Sequence, residues 1–314
     1  MSWGLARPKN GRKTSRAGSY HLPVIYQQPL AYLLGVEGTA LLRAFVGGYD
    51  RDFTQARLSE IRALLDSADQ LGEGAWTRPI TVGEGYRAWA ARYDQPGNAL
   101  IDGEQPVVRK ILDGLPRGRA LDAACGTGRH AQYLASLGYS VTGVDGSPQM
   151  LAVAKAKVPE AEFREGELHR LPVPDRQVDV VVCGLALSHV LDLAPVLAEF
   201  ARVLRPGGHL VISDSRTDRP VVMELPSGEF GYLPHRFHLT SDYLAAALPL
   251  GFEVRGCEEP RLPYPAIDPN ATPPSAPPAH PSDIWSLWPW CPAAINAVYR
   301  DSPILIIWHF QLRG

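Results

Sequence analysis

The segment Leu121-Asp122-Ala123-Ala124-Cys125-Gly126-Thr127-Gly128-Arg129-His130 constrains this chain more than any other. Ala120 and Leu121 read as a short strand, and Ala131, Leu134 and Leu137 read as the inner face of a helix. The glycine-rich turn between them lets backbone N–H groups and a helix N-terminus face a ligand without Cβ obstruction. The residues that follow keep alternating strand with helix. A strand over 140–144 precedes a helix over 148–157, further strands are expected at 161–164, 178–183 and 208–213, and a helix is expected at 193–204. Such alternation implies a parallel sheet covered on both faces. The unbroken apolar run 180–183 suits one of its central strands.

The flanks behave differently. Residues 36–68 carry helical periodicity, with Leu41, Leu42 and Phe45 on one stripe and Phe53, Ala56, Leu58, Ile61, Leu64 and Leu65 on the next, after Gly47-Gly48. A helical N-terminal region with its linker is therefore expected over 23–83, behind a frayed basic tail over 1–22. That tail has no apolar stretch after its charges, so it does not read as a secretory signal. The alternating core spans 84–258. Beyond it, 259–302 holds nine prolines between 260 and 281 and then Trp285, Trp288 and Trp290, and 303–314 reads as a last strand. A proline-rich chain cannot readily join a sheet, so 259–302 is expected to form an ordered loop or lid.

Composition narrows the partners. A net charge of −2 gives no global attraction to nucleic acid or anionic membrane, and no apolar run is long enough to span a bilayer. The four cysteines form no C-x-x-C pair, so neither a disulfide scaffold nor a zinc site is indicated. A cytoplasmic protein is expected.

Gly126-x-Gly128-x-x-Ala131, with Asp145 nineteen residues past Gly126, satisfies the dinucleotide fingerprint. Asp122 argues for a different ligand. It replaces the apolar strand residue usual in a dinucleotide site, and a carboxylate there suits an ammonium and a sulfonium better than a pyrophosphate. Asp145 is spaced to accept both hydroxyls of a ribose, and Met150, one turn into the next helix, to lie against an adenine face.

On these residues the chain resembles the class I S-adenosylmethionine-dependent methyltransferases, in their UbiE-like small-molecule branch. LDAACGTGRHAQYLASLGYSVTGVDGSPQMLAVA matches that family's first two cofactor motifs. Glu165-Gly166-Glu167-Leu168 through Asp175 is similar to its G-D-a-x-x-L-P-F-P-D stretch, with Glu167 for the usual Asp; 179–189 and 203–214 resemble the fourth strand with its turn and the R-P-G-G turn before the fifth. The segment Tyr86 to Asp94 resembles the leading Y-D segment that closes over the cofactor. The resemblance implies a Rossmann-like α/β fold with a seven-stranded, mostly parallel sheet whose last strand runs antiparallel. It implies S-adenosylmethionine as cofactor and S-adenosylhomocysteine as product. The implied cofactor residues are Tyr86, Tyr93, Asp122, Ala123, Cys125, Gly126, Gly128, Asp145, Gly146, Ser147, Met150, Glu167, Leu168, Cys183 and Gly184.

Ligands of open α/β sheets bind outside the carboxyl ends of the strands. The turn at His189, the segment 214–240 and the insertion 259–302 should therefore face the substrate. The candidate bases are His189, His235 and His238, whose order resembles no metal-ligand set, and Trp285, Trp288 and Trp290 are candidates for an aromatic substrate pocket. With no basic stripe, and Cys183-Gly-Leu-Ala where base-modifying enzymes carry N-P-P-Y, a small, partly hydrophobic metabolite is expected rather than nucleic acid. O-methylation is the default, and a homodimer is compatible with the pattern. The rivals are a cyclase or decarboxylase that retains the cofactor, and an NAD(P)-dependent oxidoreductase.

Overall fold

The computed structural model describes residues 23–90, 93–94, 98–217, 220–275, 280 and 284–314. The expected tail, 1–22, lies outside the described residues. In chain order the elements begin with β1 (Ile25–Gln27), α1 (Pro29–Phe45), α2 (Arg51–Asp66), β2 (Ala75–Pro79), α3 (Val82–Trp89) and α4 (Ala99–Asp113). The chain continues with β3 (Arg119–Ala123), α5 (Arg129–Ser136), β4 (Ser140–Asp145), α6 (Pro148–Lys157) and β5 (Glu162–Glu165). Then come β6 (Val178–Gly184), α7 (Leu193–Val203), β7 (Leu204–Ser215), β8 (Val221–Glu224), β9 (Phe230–Leu233), α8 (Thr240–Ala247) and β10 (Phe252–Glu258). The chain closes with α9 (Ile284–Leu287), α10 (Pro292–Tyr299) and β11 (Leu305–Leu312).

Seven strands make one sheet in the order β10-β11-β7-β6-β3-β4-β5. β3, β4, β5, β6 and β7 run parallel, and β11 lies antiparallel between β7 and β10. This is the Rossmann-like class I methyltransferase arrangement. Its centre is apolar on both faces: Leu121, Val181 and Ile212 pack with α7 and α8 on one side, while Ala120, Val180 and Val182 pack with α4, α5 and α6 on the other.

Two features differ from expectation. The front region is not purely helical, because β1 and β2 join β9 and β8 in a second, four-stranded sheet. β1 pairs antiparallel with β2, which runs parallel to β9, so the N-terminal segment and the 214–240 connection become one layer. The described part of 259–302 does not drape over the strand ends either. Leu287, Trp288, Trp290, Cys291 and Ile295 bury themselves with Leu33, Val36, Ala40 and Leu64 of α1 and α2, and segments from the front and the back of the chain thereby build one helical module. The cause is amphipathicity: α1 and α10 each carry an apolar stripe, and the α1 stripe is larger than α2 alone covers.

Candidate active site

The carboxyl ends of β3, β4, β5 and β6 open into a cavity of about 530 Å³, roofed by α3 and by Tyr93. Two of these strand ends turn through left-handed backbone at residues other than glycine, Ala124 at φ 57° and Leu185 at φ 54°, and both line the cavity. Such conformations cost of order 1–3 kcal/mol each and persist only where the surroundings enforce them. Gly128 takes φ 82° at the start of α5, where a Cβ would come within 3.1 Å of Ala154 Cβ. A side chain there would push α5 from α6 and spoil the turn.

Asp145 ends β4 with both oxygens engaged: Oδ2 accepts from Gly126 N–H at 2.8 Å and Oδ1 from Ser147 N–H at 2.8 Å. Burial raises its pKa, the two backbone donors oppose that, and nearby Glu167 raises it further. Each oxygen keeps a second lone pair for the cavity that the residue lines. Gly146, Ser147, Met150, Glu167 and Leu168 line the same region, and Gly146 lets the Glu167 carboxylate approach within 3.3 Å of where a Cβ would stand. Gly126 and Gly184 complete its floor.

Asp122, Ala123, Cys125, Gly128 and Cys183 are not among the lining residues and stand behind that floor. Ala123, Cys125 and Cys183 are buried in the core, and burial pushes both thiols up, away from reactivity. Asp122 Oδ2 accepts from Ala131 N–H at 2.7 Å, which steadies the first turn of α5. Its Oδ1 is buried without a partner among the described residues, and burial, only partly offset by His130 and Arg129, pushes the carboxyl up to about 6.

The substrate end is built around His189, in a short 3-10 turn after β6. His189 Nδ1 lies 3.0 Å from Pro234 O, and a carbonyl only accepts, so Nδ1 carries the proton. The lone pair of Nε2 is thereby free to accept from Tyr86 Oη–H at 2.9 Å. Burial lowers the His189 pKa, favouring this neutral tautomer, and raises that of Tyr86 well above its ordinary value, so Tyr86 acts as a donor. Both rings line the cavity together with Tyr93, Val82, Leu185, Val190, Leu191 and Val196, so most of this end is apolar. Of the other candidate bases, His235 sits with its ring 6.1 Å from that of His189. His238 is buried, and its Nε2 lies 3.0 Å from both Leu187 O and Val190 O. It braces the His189 turn. Asp214 grips the same turn from the β7 side, accepting from Ser188 N–H at 3.2 Å and from Tyr243 Oη–H at 2.7 Å.

The tryptophans are elsewhere. Trp288 and Trp290 lie in the helical module, with Trp288 Nε1–H donating to Tyr32 Oη at 3.1 Å, and Trp285 is more than half exposed beside Trp288. None of the three is among the lining residues, because α1 and α2 supply the apolar surface they cover. No group of three or more His, Cys, Asp or Glu among the described residues is placed to hold a metal.

Sequence reasoning passed over a buried polar cluster. Glu104 of α4 is fully buried and meets Arg129 Nη2 at 2.6 Å and His130 Nε2 at 2.8 Å, and it accepts from Ser213 Oγ–H. The signal was present: Ile101, Glu104, Val108 and Leu112 form one buried stripe, with a charge on it. Also unforeseen is a tie across the Gly-rich turn, where Asp94 accepts from Thr127 Oγ1–H at 2.8 Å and from Lys157 Nζ at 2.5 Å.

These residues fit the cofactor that the sequence suggests. Asp145 offers free lone pairs at ribose-binding spacing, Glu167 offers an acceptor above Gly146, and Asp122 Oδ1 is a buried acceptor without a partner. Comparison with known proteins agrees. Residues 121–212 match the family described as a methyltransferase domain. A demethylmenaquinone methyltransferase of Chlorobaculum tepidum is 43% identical over 117 residues, covering 37% of this chain and 48% of the relative. One of Paenarthrobacter aurescens is 31% identical over 176 residues, covering 55% of this chain and 64% of the relative. In both cases the match spans less than two thirds of the relative's own length. A structure from Listeria monocytogenes, assigned as an S-adenosylmethionine-dependent methyltransferase, superposes with a TM-score of 0.50 at 17% identity, covering 69% of this chain and 100% of that one, and so shares the fold.

Proposed function

We propose that the chain methylates a hydroxyl of a small, partly hydrophobic metabolite, a reading supported by the match of residues 121–212 to a methyltransferase domain and by the shared fold. The observation that carries this reading is the Tyr86–His189 contact of 2.9 Å in the cavity that also holds Asp145 and Glu167. S-adenosylmethionine supplies a methyl group on a sulfonium, open to in-line displacement. The chain's part is alignment, exclusion of water and removal of one proton.

Asp145 and Glu167 would hold the nucleoside end, and Met150 and Leu168 would pack against its base. The apolar wall of Val82, Leu185, Val190, Leu191 and Val196 would take the hydrophobic body of the acceptor. An acceptor hydroxyl placed at His189 Nε2 takes over the position of the Tyr86 hydrogen. His189 Nε2 would take the hydroxyl proton, and the Nδ1–H···O=C bond to Pro234 would hold the resulting imidazolium. Tyr86 remains as a donor to the acceptor oxygen. The relatives named for demethylmenaquinone support an apolar ring compound as the acceptor class.

The test is turnover of a panel of phenolic and quinol-type acceptors with S-adenosylmethionine. The expected result is S-adenosylhomocysteine formed in a 1:1 ratio with an O-methylated product, and both lost in His189→Ala. A product formed without S-adenosylhomocysteine would replace this reading with a cofactor-retaining cyclase or decarboxylase.

A further inference from the structure

The four-stranded sheet contributes no strand residue to the cavity lining, and methyl transfer gives it no direct task. Its two central strands nevertheless lead into both members of the Tyr86–His189 pair. β2 and β9 run parallel, with Arg78 opposite Gly231 and Pro79 opposite Tyr232, and Ile80 N–H donates to Tyr232 O at 2.9 Å. Both strands therefore end on the same side. From there β2 passes into Thr81, whose Oγ1 accepts from Glu84 N–H at 3.2 Å while its own N–H donates to Glu84 Oε2 at 2.8 Å. That reciprocal cap starts α3, the helix that carries Tyr86. β9 passes into Pro234, whose carbonyl holds His189 Nδ1 at 3.0 Å.

Leu233 joins these two branches. It is fully buried with Ile80, Met223 and Leu225, and Tyr86 and Trp89 of α3 pack against the same cluster. The helix meets it at Gly85, where a Cβ would stand 2.7 Å from Leu233 Cδ2 and 3.0 Å from its Cγ. Only glycine lets α3 lie this close to the end of β9. A closed ring results: Gly85 packs on Leu233, the next residue Pro234 holds His189, and His189 Nε2 accepts at 2.9 Å from Tyr86, the neighbour of Gly85. Alternate residues beyond Pro234 grip the same turn. Arg236 N–H donates to Ser188 O at 2.7 Å, and His238 Nε2 lies 3.0 Å from both Leu187 O and Val190 O. Close-packed interiors transmit a displacement rather than absorb it. A reacting group misplaced by about 1 Å loses up to ~100-fold in rate.

We propose that Leu233 is a positioning residue for the Tyr86–His189 pair: seated on Gly85 and followed by the Pro234 carbonyl, it sets where His189 Nε2 meets the acceptor hydroxyl. This role rests on His189 being the base. It gives the second sheet a part in the reaction, since the β2–β9 register fixes the start of α3 against the strap that holds the histidine.

Three variants separate this role from a merely structural one. Gly85→Ala adds a methyl group against Leu233 in a helix that otherwise favours alanine. Leu233→Val takes one methylene away from the other side, and Gly85→Ala/Leu233→Val restores the volume. The first readout is the tautomer of the His189 ring, read from its nitrogen chemical shifts at about pH 8, above the ordinary histidine value, with His189→Gln to identify the signals. The second is turnover of a phenolic acceptor beside affinity for S-adenosylhomocysteine. Wild type should show a protonated Nδ1 and a bare Nε2. Gly85→Ala should show both tautomers in exchange and a kcat ~10- to 100-fold lower, with S-adenosylhomocysteine affinity within ~3-fold. Leu233→Val alone, which opens the contact instead of crowding it, should move the ring the same way, so the role stays testable if Gly85→Ala does not fold. The double variant should regain the single tautomer and most of the rate. An unchanged tautomer and kcat in whichever single variant folds, or a double variant no better than Gly85→Ala, overturns the positioning role. A wild-type ring protonated at Nε2 overturns the base reading itself.

Discussion

Asp145 is tied at both oxygens before any ligand arrives, to Gly126 and Ser147 at 2.8 Å each, so its orientation is fixed by the two turns it joins. Asp145→Ala should weaken S-adenosylhomocysteine about 10- to 100-fold in calorimetry, the scale of one or two charge-assisted hydrogen bonds. Unchanged affinity would contradict the ribose assignment. For His189 the sign of the pH effect follows from burial. Its pKa lies below the ordinary histidine value and the neutral form accepts the proton, so kcat/KM should fall as pH drops through that depressed pKa and stay level above it. His189→Ala should lower kcat at least ~100-fold and abolish that acid limb, while a change confined to KM would reduce the residue to packing. That Asp145, Gly126 and Met150 line one cavity was legible in the sequence because their placement follows from spacing along one strand–turn–helix unit. The roles of His238 and Glu104 were not. Their partners, Leu187 and Val190 for one and Arg129 and Ser213 for the other, lie 25 or more residues away, and no local pattern announces them.

Among the elements, the seven strands of the main sheet and the helices between them follow from hydrophobic period. β1 and β2 escaped because they are three and five residues long, too short for alternation to rise above chance. The helical module also depends on distance in sequence: α1 and α10 each show an amphipathic stripe, but only the fold brings them together. Trp288 is 4% exposed there, and Trp288→Ala should cost about 3–5 kcal/mol in thermal or denaturant unfolding while leaving S-adenosylhomocysteine affinity within ~3-fold. A strong loss of affinity in a folded variant would return this tryptophan to the ligand site. The same module buries Glu37 of α1 against Arg57 of α2 at 3.0 Å. Burial and the nearby Glu60 push the Glu37 carboxyl up to about 8, with Arg57 opposing them. A raised carboxyl binds a proton on folding, so its contribution to stability is complete below the ordinary carboxylate range and is lost as pH rises toward 8. Glu37→Gln, which copies the neutral form, should flatten that loss in unfolding midpoints measured between about pH 4 and pH 9, which spans the ordinary and the raised carboxyl values. An equal slope in the variant would place the effect elsewhere.

At the scale of the whole molecule, the cofactor half and the remainder divide the work unevenly. β3 to β6 and the turns that follow them supply almost the entire cavity floor, whereas α3 and Tyr93 close it from the N-terminal side. α1 and α2 from the front of the chain and residues 287–297 from near its back pack in a helical module that lines none of the cavity. On the proposed reading, substrate selection falls to the short connections after β5 and β6 and to α3, which line the cavity. The proposed activity depends on one prior fact, that this cavity holds the nucleoside and the amino-acid tail of S-adenosylmethionine. Calorimetric titration of the wild-type chain with S-adenosylhomocysteine, beside NADH and NADPH, tests it most directly. The account predicts saturable 1:1 binding of S-adenosylhomocysteine that is weakened in Asp145→Ala, and no binding of either nicotinamide. Saturable binding of NADH or NADPH with none of S-adenosylhomocysteine would contradict it.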